Sequence, residues 1–354
     1  MTRRRSALKP DLFAHEAHKR QLDALGDPLQ VIDQHIDFGQ LAGLIDTLFP
    51  RADASKGGRP PYPTEVMVRV LILKRLYNLS DEQVQYQLLD RMSFRRFCRL
   101  ADSATIPDRN TIWHFQQRIG VDGATALFQG VDAQIEQHGY MARGGQIIDA
   151  TLVAAPIQRF TSKDKEVLDE GQIPQDWSPA KRGQKDLDAT HTKKHGKWHH
   201  GYKLSTSVDV RHKFIRKVHT GTASEHDSTH FEQVLDMGNT GSGVFADRGY
   251  PSEQRSRLLQ ALGLKDHIQR KKPKGKALCK RQAKRNRRIA KTRARGEHPY
   301  AQIRHMGGKL IRTVGQSRAT AAMTMMATCY NLKRLAMFLH KQVHPFYKNR
   351  PLRA

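Results

Sequence analysis

The sequence lacks the features that tie a chain to a membrane or to an oxidising compartment. Its 354 residues include only three cysteines, Cys98, Cys279 and Cys329, and no two of them are closely spaced. A disulfide framework is therefore not expected, and a reducing compartment is. No apolar run approaches the roughly 20 residues that a membrane-spanning helix needs, and the basic N-terminus lacks the apolar run of a signal peptide. We therefore expect a cytoplasmic protein with no membrane partner.

Acidic residues are also scarce. The chain has 34 Asp and Glu against 61 Lys and Arg, which gives a formal net charge of +27 at pH 7. So basic a chain favours a polyanion as its partner. Charge alone indicates nucleic acid and no more, because a ribosomal or chaperone-like RNA binder would share it.

The first part of the chain has the apolar spacing of helices. Apolar residues recur at roughly helical intervals over residues 29–48, and the segment SKGGRPPYP at 55–63 is typical of a linker. Helices are predicted to follow, one with Thr64 as its N-cap and one beginning at Ser80, where Gln83 completes a capping box. Two helices joined by so short a turn are typical of a helix-turn-helix unit, and equally of an ordinary helical hairpin.

From residue 144 onward the apolar period shifts towards two. Strands are predicted at 146–154, 202–210, 214–220, 241–250 and 264–268. Helices are predicted at 227–237 and 252–263, within a basic run at 270–295, and at 319–339, where apolar spacing favours a packing helix. The polar segment 156–200 between the first two strands has no assignment.

Three carboxylates stand out by their positions in this pattern. Asp149 lies inside an apolar strand, Asp247 ends another, and Glu297 follows a run of 26 residues that contains 14 Lys and Arg and no acid. Anions brought together repel one another unless a cation neutralises them. Oxygen ligands without cysteine select Mg²⁺ or Mn²⁺, and two such ions about 4 Å apart suit phosphodiester chemistry. The pattern predicts a metal-binding triad beside bound phosphate.

The sequence resembles the DDE transposases of bacterial insertion sequences, in particular the insertion-sequence-five group. The likeness covers about residues 60–340 and is carried by seven ordered segments: LSDEQVQYQLLDRMSFRRFCRL, IPDRNTIWHFQQRI, GGQIIDATLVAAPIQR, HHGYKLSTSVDV, TASEHDS, VFADRGYPS and RARGEHPYAQIRH. It implies an α/β protein with an RNase H-like mixed sheet flanked by helices, an all-helical N-terminal domain and a C-terminal helix. It also implies Asp149, Asp247 and Glu297 as catalytic, Mg²⁺-binding residues, with Mn²⁺ as a possible substitute.

The surroundings of Glu297 depart from the family in two places. In related transposases the Glu belongs to a pattern of Tyr, two residues, Arg, three residues, Glu, six residues and Lys. Here Arg293 and Glu297 match, Ala290 replaces the Tyr and Arg304 stands in place of the Lys. Because Gly296 and Pro299 flank Glu297, we expect this residue at a kink or a helix start.

The resemblance and the composition together suggest four segments. They are an N-terminal arm and linker (1–62), a helix-turn-helix-like domain (63–140), a catalytic domain (141–306) with its insertion at about 156–200, and a C-terminal helical tail (307–354).

Basic side chains near the triad are predicted to contact DNA phosphates. They are Lys203, Arg248, Lys284, Arg287, Arg288, Lys291, Arg293 and Arg304. Arg248 has the alternative of pairing with an acid. The histidines at 191, 195, 199 and 200 are expected to face DNA near the active site, with zinc binding as the alternative.

Two further acids compete for a place in the triad. Asp188 stands in a second "DAT" segment, but its polar flanks favour a loop. Asp227 is typical of a helix cap.

The predicted function is transposition. We expect a bacterial, nucleoid-associated enzyme that binds the inverted repeats of its element, cuts at the ends and transfers the 3′-hydroxyls to target DNA. Its partners would be double-stranded DNA and a second copy of the chain, without a small-molecule substrate. The alternatives are an inactive transposase-derived DNA-binding protein and an RNase H-like nuclease or resolvase without strand transfer.

Overall fold

The computed structural model describes residues 7, 8, 10–50, 57, 60–156, 158–194, 196–241 and 243–345. Its N-terminal part is all helical, as predicted. The helices are α1 (Ala14–Leu25), α2 (Pro28–His35), α3 (Phe38–Leu48), α4 (Thr64–Leu76), α5 (Asp81–Asp90), α6 (Met92–Phe97) and α7 (Arg109–Gln137).

Of the two predicted helix starts, the one at Ser80 is confirmed and the one at Thr64 is wrong. The capping box of Ser80 and Gln83 forms at the start of α5. Thr64 is not an N-cap, because it is already the first residue of α4, behind Pro63. Its hydroxyl instead donates a hydrogen bond to Asp46 Oδ1 at 2.5 Å. This contact fixes α4 to the end of α3.

The second half of the chain forms a six-stranded mixed sheet. Its strands are β1 (Gln146–Ala154), β2 (Thr190–Lys194), β3 (Lys197–Asp209), β4 (Ile215–Thr222), β5 (Gly243–Ala246) and β6 (Lys265–Ile268). The order is β2-β3-β1-β5-β6, with β4 also paired to β3. Strand β3 pairs antiparallel with β1, β2 and β4, whereas β1–β5 and β5–β6 are parallel.

Helices and turns connect and cover the strands. The remaining helices are α8 (Ser162–Asp169), α9 (Pro179–Gln184), α10 (Phe231–Val234), α11 (Glu253–Ala261), α12 (Lys280–Arg293), α13 (Glu297–Ile303) and α14 (Gln316–His340). The formerly unassigned segment 156–200 therefore holds α8, α9 and β2. Strand β2 forms a hairpin with the first residues of β3, which begins at Lys197, before the predicted start at 202.

Helix α10 is much shorter than the predicted helix at 227–237, which was wrong in its length. Residues Asp227–His230 form a 3₁₀ turn, and α10 ends at Val234. The reason lies in Gln146 of β1, whose side chain accepts a hydrogen bond from the backbone N–H of Asp236 and donates one to its carbonyl oxygen. These bonds hold the backbone of Asp236 against the sheet, so the helix cannot continue.

The C-terminal helix α14 fills the core, as its apolar spacing predicted. It packs against α7, α2, α4 and β4. The buried amide of Asn331 accepts a hydrogen bond from the backbone N–H of Ile215 and donates one to its carbonyl oxygen. One hydrophobic core thus joins the N-terminal helices, α14 and one face of the sheet.

The two faces of the sheet have different partners. On β1, Ile148 faces a smaller core formed with α10 and α11, whereas Ile147 faces the main core and the end of α12.

In the part of the chain that the structure describes, no helix is both long and apolar enough to span a membrane.

Candidate active site

Two of the three predicted carboxylates lie at the same level on adjacent strands. Strands β1 and β5 are parallel, with Ile147 opposite Phe245. Continuing that register by two residues brings Asp149 level with Asp247, which directly follows the last residue of β5. Because side chains alternate along a strand, both carboxylates lie on the face of Ile147. This face is the one that the end of α12 covers.

The third carboxylate reaches that face from the basic helix. A 3₁₀ turn at Ala294–Gly296 links α12 to α13, and Glu297 is the first residue of α13. The expected helix start is therefore confirmed. Pro299 lies in the first turn of α13, where its missing N–H costs no hydrogen bond.

Residues on either side of Glu297 fix its helix to β1. Arg293 Nη2 donates to Asp149 Oδ2 at 2.9 Å, and the hydroxyl of Tyr300 donates to the carbonyl oxygen of Asp149 at 2.6 Å. Between them, a Cβ placed on Gly296 would lie only 3.0 Å from Ile147 Cγ2. These contacts lie on one side of the helix, since residues three, four and seven apart share a helical face. Glu297 is exposed and lines the same cavity as Asp149.

Opposing effects act on the carboxyl of Asp149. Burial raises its pKa, while Arg293 and the backbone N–H of Ala150 lower it, and the nearby carboxylate of Asp247 raises it further. The net effect is a raised pKa. Arg293 supplies the positive charge that this carboxylate needs in the metal-free protein. Asp247 is held by the backbone N–H of Gly249, which donates to its Oδ1 at 2.7 Å.

The donor set fits a hard divalent cation in its chemistry. The oxygens of Asp149 and Asp247 are of the kind that Mg²⁺ and Mn²⁺ prefer. Beside them, Tyr250 is 1 % exposed, and its hydroxyl has no hydrogen-bond partner among the described residues. Within the same residues, no three His, Cys, Asp or Glu side chains lie close enough together to hold one ion. The triad therefore shares a face, but Glu297 does not complete a ligand shell.

Most of the predicted phosphate-binding side chains are exposed. Lys284, Arg287, Arg288 and Lys291 lie on the outer side of α12, and Arg248 is also exposed. Arg304 is exposed as well and lines the cavity of Asp149 and Glu297. Among the described residues, the ion pairs of α12 are made instead by Arg285 with Asp266 and by Arg293 with Asp149.

Lys203 is an exception, and the structure argues against direct contact with DNA. Its side chain is only 8 % exposed and its ammonium lies 2.7 Å from Asp227 Oδ1. The same ammonium also donates to the carbonyl oxygen of Glu225. The sequence could not distinguish this buried cation from an exposed one, because its partners lie more than twenty residues away.

The two competing acids have structural partners. Asp188 Oδ2 accepts a hydrogen bond from the backbone N–H of Gln316 at 2.8 Å, at the start of α14. Asp227 pairs with Lys203. The expectation that Asp227 caps a helix was wrong, because His226 occupies that position.

The histidine-rich hairpin of β2 and β3 has two different faces. His199 and Lys194 line the active-site cavity. His191 and His200, which pair across the hairpin with ring centroids 4.3 Å apart, line a separate cavity of about 730 Å³. Only His199 of this cluster therefore meets the expectation of facing the active site, and His195 lies outside the described residues. Burial lowers the pKa of His200, and His191 lowers it further.

Tyr300 is a site residue that the sequence analysis did not identify. It is buried, and its hydroxyl also hydrogen-bonds with Thr206 Oγ1 at 2.8 Å. Its spacing, three residues after Glu297, was an available signal, because such residues neighbour each other on a helix.

The helix-turn-helix interpretation finds little support in the helices themselves. Nine of the 13 residues of α4 are buried, so this helix belongs to the core. Helix α5, which would read the DNA, contains Asp81, Glu82 and Asp90 and no Lys or Arg. A helix of this charge is repelled by phosphates. The alternative of a helical hairpin suits it better.

Two models of known protein families match the chain. Residues 141–332, just over half of the chain, match the family described as Transposase DDE domain, and residues 16–118 match the one described as Transposase domain (DUF772). No solved structure matches the chain. The class is thus that of the transposases, and the chain belongs to the DDE transposases of insertion sequences. The α/β fold with an RNase H-like sheet flanked by helices is confirmed.

Proposed function

We propose that this transposase binds the inverted repeats at the ends of its own insertion element, hydrolyses phosphodiester bonds there and joins the freed 3′-hydroxyls to target DNA. The observation that carries the proposal is the level placement of Asp149 and Asp247 on adjacent parallel strands, beneath the basic helix that leads to Glu297. Acidic metal ligands next to phosphate-binding cations are what cleavage of a polyanion requires. We also propose membership of the insertion-sequence-five group and action on the DNA of a bacterial nucleoid.

Divalent ions, Mg²⁺ or Mn²⁺, would be held by Asp149 and Asp247, and Glu297 would join them as a third ligand only by moving closer than it lies in the metal-free protein. Bound there, they would activate a water or a 3′-hydroxyl and stabilise the leaving oxygen. The chain's own residues prepare this site. Tyr300 fixes the backbone at Asp149, and Arg293 holds its carboxylate in place in the metal-free protein.

The outer side of α12 would bind the DNA backbone. Lys284, Arg287, Arg288 and Lys291 are exposed and form a stripe along the helix, because residues three or four positions apart share a helical face. Arg248 and Arg304 would extend this surface on either side of the carboxylates, while Arg293 would turn to phosphate once released from Asp149. Because two ends must be cut and joined together, the working form is proposed to be a homodimer.

A strand-transfer assay tests the proposal. The full chain is incubated with Mg²⁺, a labelled duplex that carries the element's end, and a supercoiled target. Cut ends and joined products are expected. Cutting without joining would indicate an RNase H-like nuclease, and binding without cutting would indicate an inactive DNA-binding protein. Inverted repeats in the DNA that brackets the coding sequence supply the substrate.

A further inference from the structure

A second basic groove lies between the N-terminal helices and the segment that leads into α14. It encloses a cavity of about 270 Å³. We call it the junction groove and define it by its charged and aromatic lining: Lys74, Arg75, Asp81, Trp113, Arg312 and Arg318. None of these residues belongs to the active site described above.

The cations of the junction groove are poorly neutralised. Lys74 pairs with Asp81 at 2.6 Å, but no described carboxylate lies within ion-pair distance of the three arginines. Arg75 donates instead to the carbonyl oxygen of Met306 at 3.4 Å, and Arg318 donates to Gln117 Oε1 at 3.2 Å. Burial lowers the pKa of Arg75, Cys329 and the carboxylate of Asp81 raise it, and the positive charge of Arg312 lowers it, so that the net effect is a lowered pKa. Three like charges in one groove repel one another unless an anion lies between them.

The lining also offers a polar atom that lacks a partner. The hydroxyl of Thr313 is buried and has no hydrogen-bond partner among the described residues. Burying such a group without a partner destabilises the protein. Trp113, which is 44 % exposed at the rim, offers an aromatic surface next to the charges. Guanidinium groups, a hydroxyl and an aromatic ring together suit a sugar–phosphate backbone.

The junction groove is structurally continuous with the active site. A π-helical turn at Arg304–Gly308 follows α13 and packs against the end of α4, where a Cβ on Gly307 would lie 2.7 Å from Asn78 Oδ1. Leu310 then forms a parallel bridge with Ala154, the last residue of β1. The groove therefore begins where the strand of Asp149 ends, and Arg304 lies between the two sites in sequence.

We infer that the junction groove binds backbone phosphates of the DNA that flanks the cut site, through Arg312, Arg318 and Arg75. This inference rests on the proposed function, because it supposes that an element end occupies the active site. The volume suits one or two phosphates and excludes a duplex, so the double helix would lie across the mouth. Such a contact would also hold the N-terminal helices and the catalytic sheet on one DNA molecule.

The test compares two double variants of equal charge. Arg312→Gln with Arg318→Gln removes the exposed cations of the groove. Lys333→Gln with Lys341→Gln removes two other exposed cations, one in the second half of α14 and one directly after its end. Binding to an end-containing duplex is measured by fluorescence anisotropy in metal-free buffer between 50 and 200 mM salt. Circular dichroism and thermal melting of all three proteins establish that the variants are folded.

The groove variant is expected to lose two phosphate contacts. The slope of log affinity against log salt should become less steep by about 1.8, and the affinity at the lowest salt should fall about tenfold. The control variant should change neither by more than about a third of these amounts. Trimming the duplex on the flank that reaches the groove should weaken the wild type and leave the groove variant unchanged.

The outcomes separate this inference from the proposed function. If the wild type binds and cuts the end but the groove variant matches the control in slope, the junction groove holds no phosphate and the inference is overturned. If the wild type binds no DNA at any salt, the proposed function fails first. A groove variant that loses affinity for every duplex regardless of flank length would place the contact elsewhere on the DNA and would also overturn the inference.

Discussion

Helices α5 and α12 are both exposed, yet they carry opposite charges. Helix α5 has three acids and no base in ten residues, whereas α12 has eight Lys and Arg and no acid in fourteen. Helix α5 is the one that a helix-turn-helix pattern would send into the major groove. Its exposed Tyr86 and Leu89 suit a protein contact better than a phosphate backbone.

The difference shows that the order of helices does not indicate which helix binds DNA, and that the distribution of charge has to be considered separately. Helix α12 is anchored by its inner side, where Arg285 donates to the carbonyl oxygens of Asp266 and Ile268 and Ile289 is buried. Its outer side is left with cations that make no ion pair among the described residues. The helix pattern alone would predict DNA binding by α5, whereas the charge favours the proposed binding by α12.

The largest effect is expected at the carboxylate beneath α12. Asp149→Asn should reduce end cutting by about a thousandfold or more, because metal-assisted stabilisation supplies several kcal/mol and 1.36 kcal/mol is tenfold in rate. Affinity for DNA should change little. The control is Asp188→Asn, whose carboxylate serves the start of α14. A cleavage assay and a binding assay on both variants suffice, and cutting by Asp149→Asn would remove Asp149 from the triad.

The outer side of α12 should dominate binding. Changing Lys284, Arg287, Arg288 and Lys291 together to Gln should make the salt slope less steep by about 3.6 and lower low-salt affinity about a hundredfold. Anisotropy at several salt concentrations measures both. An unchanged slope would mean that the stripe is only a solvated surface.

A smaller effect is expected from the ion pair under the helix. Arg293→Gln leaves the Asp149 carboxylate without its partner and should lower the free energy of unfolding by about 1–2 kcal/mol in the metal-free protein, since both side chains are partly exposed. Because burial raises the pKa of Asp149, the loss should shrink as the pH falls and the carboxyl becomes neutral. Urea unfolding across pH measures this.

Added Mn²⁺ should raise the free energy of unfolding of Arg293→Gln more than that of the wild type, because the bound ion would replace the lost positive charge. Equal stabilisation of both proteins would show that the guanidinium does not compete for the carboxylate.

The smallest effect is expected at α5. Glu82→Gln with Asp90→Asn should change DNA affinity by less than about twofold, because this helix is expected to lie away from the phosphates. A large gain in affinity would place α5 near the backbone and revive the helix-turn-helix interpretation. The same anisotropy series used for α12 provides the measurement.

Local patterns in the sequence predicted much of this fold. Strand β1 has the predicted bounds because its apolar run is buried on both faces, and α5 begins at its capping box. The shortened α10 could not be predicted, since Gln146 stops it from ninety residues away. Strand β2 was not predicted, because its polar residues do not alternate with apolar ones. It forms a strand through its pairing with β3.

The candidate site was predictable in its acids and less so in its cations. A carboxylate inside an apolar strand is conspicuous in any sequence. A lysine in a basic chain does not stand out in the same way. The burial of Lys203 against Asp227 depends on the tertiary fold, which local patterns do not define. The positions of Arg293 and Tyr300 against Asp149 likewise follow from the docking of α12 and α13 on β1.

The glycine at position 296 limits the distance of the Glu297 carboxylate from those of Asp149 and Asp247. With a hydrogen as its side chain, the turn rests directly on Ile147, and even one methyl group would have to displace that neighbour or lift the turn. A lift of a fraction of an ångström would be passed to the next residue along and enlarged at the tip of its side chain. We therefore expect Gly296, which has no reactive group, to set the distance between Glu297 and the two aspartates, so that Gly296→Ala should fold and should cut DNA more slowly.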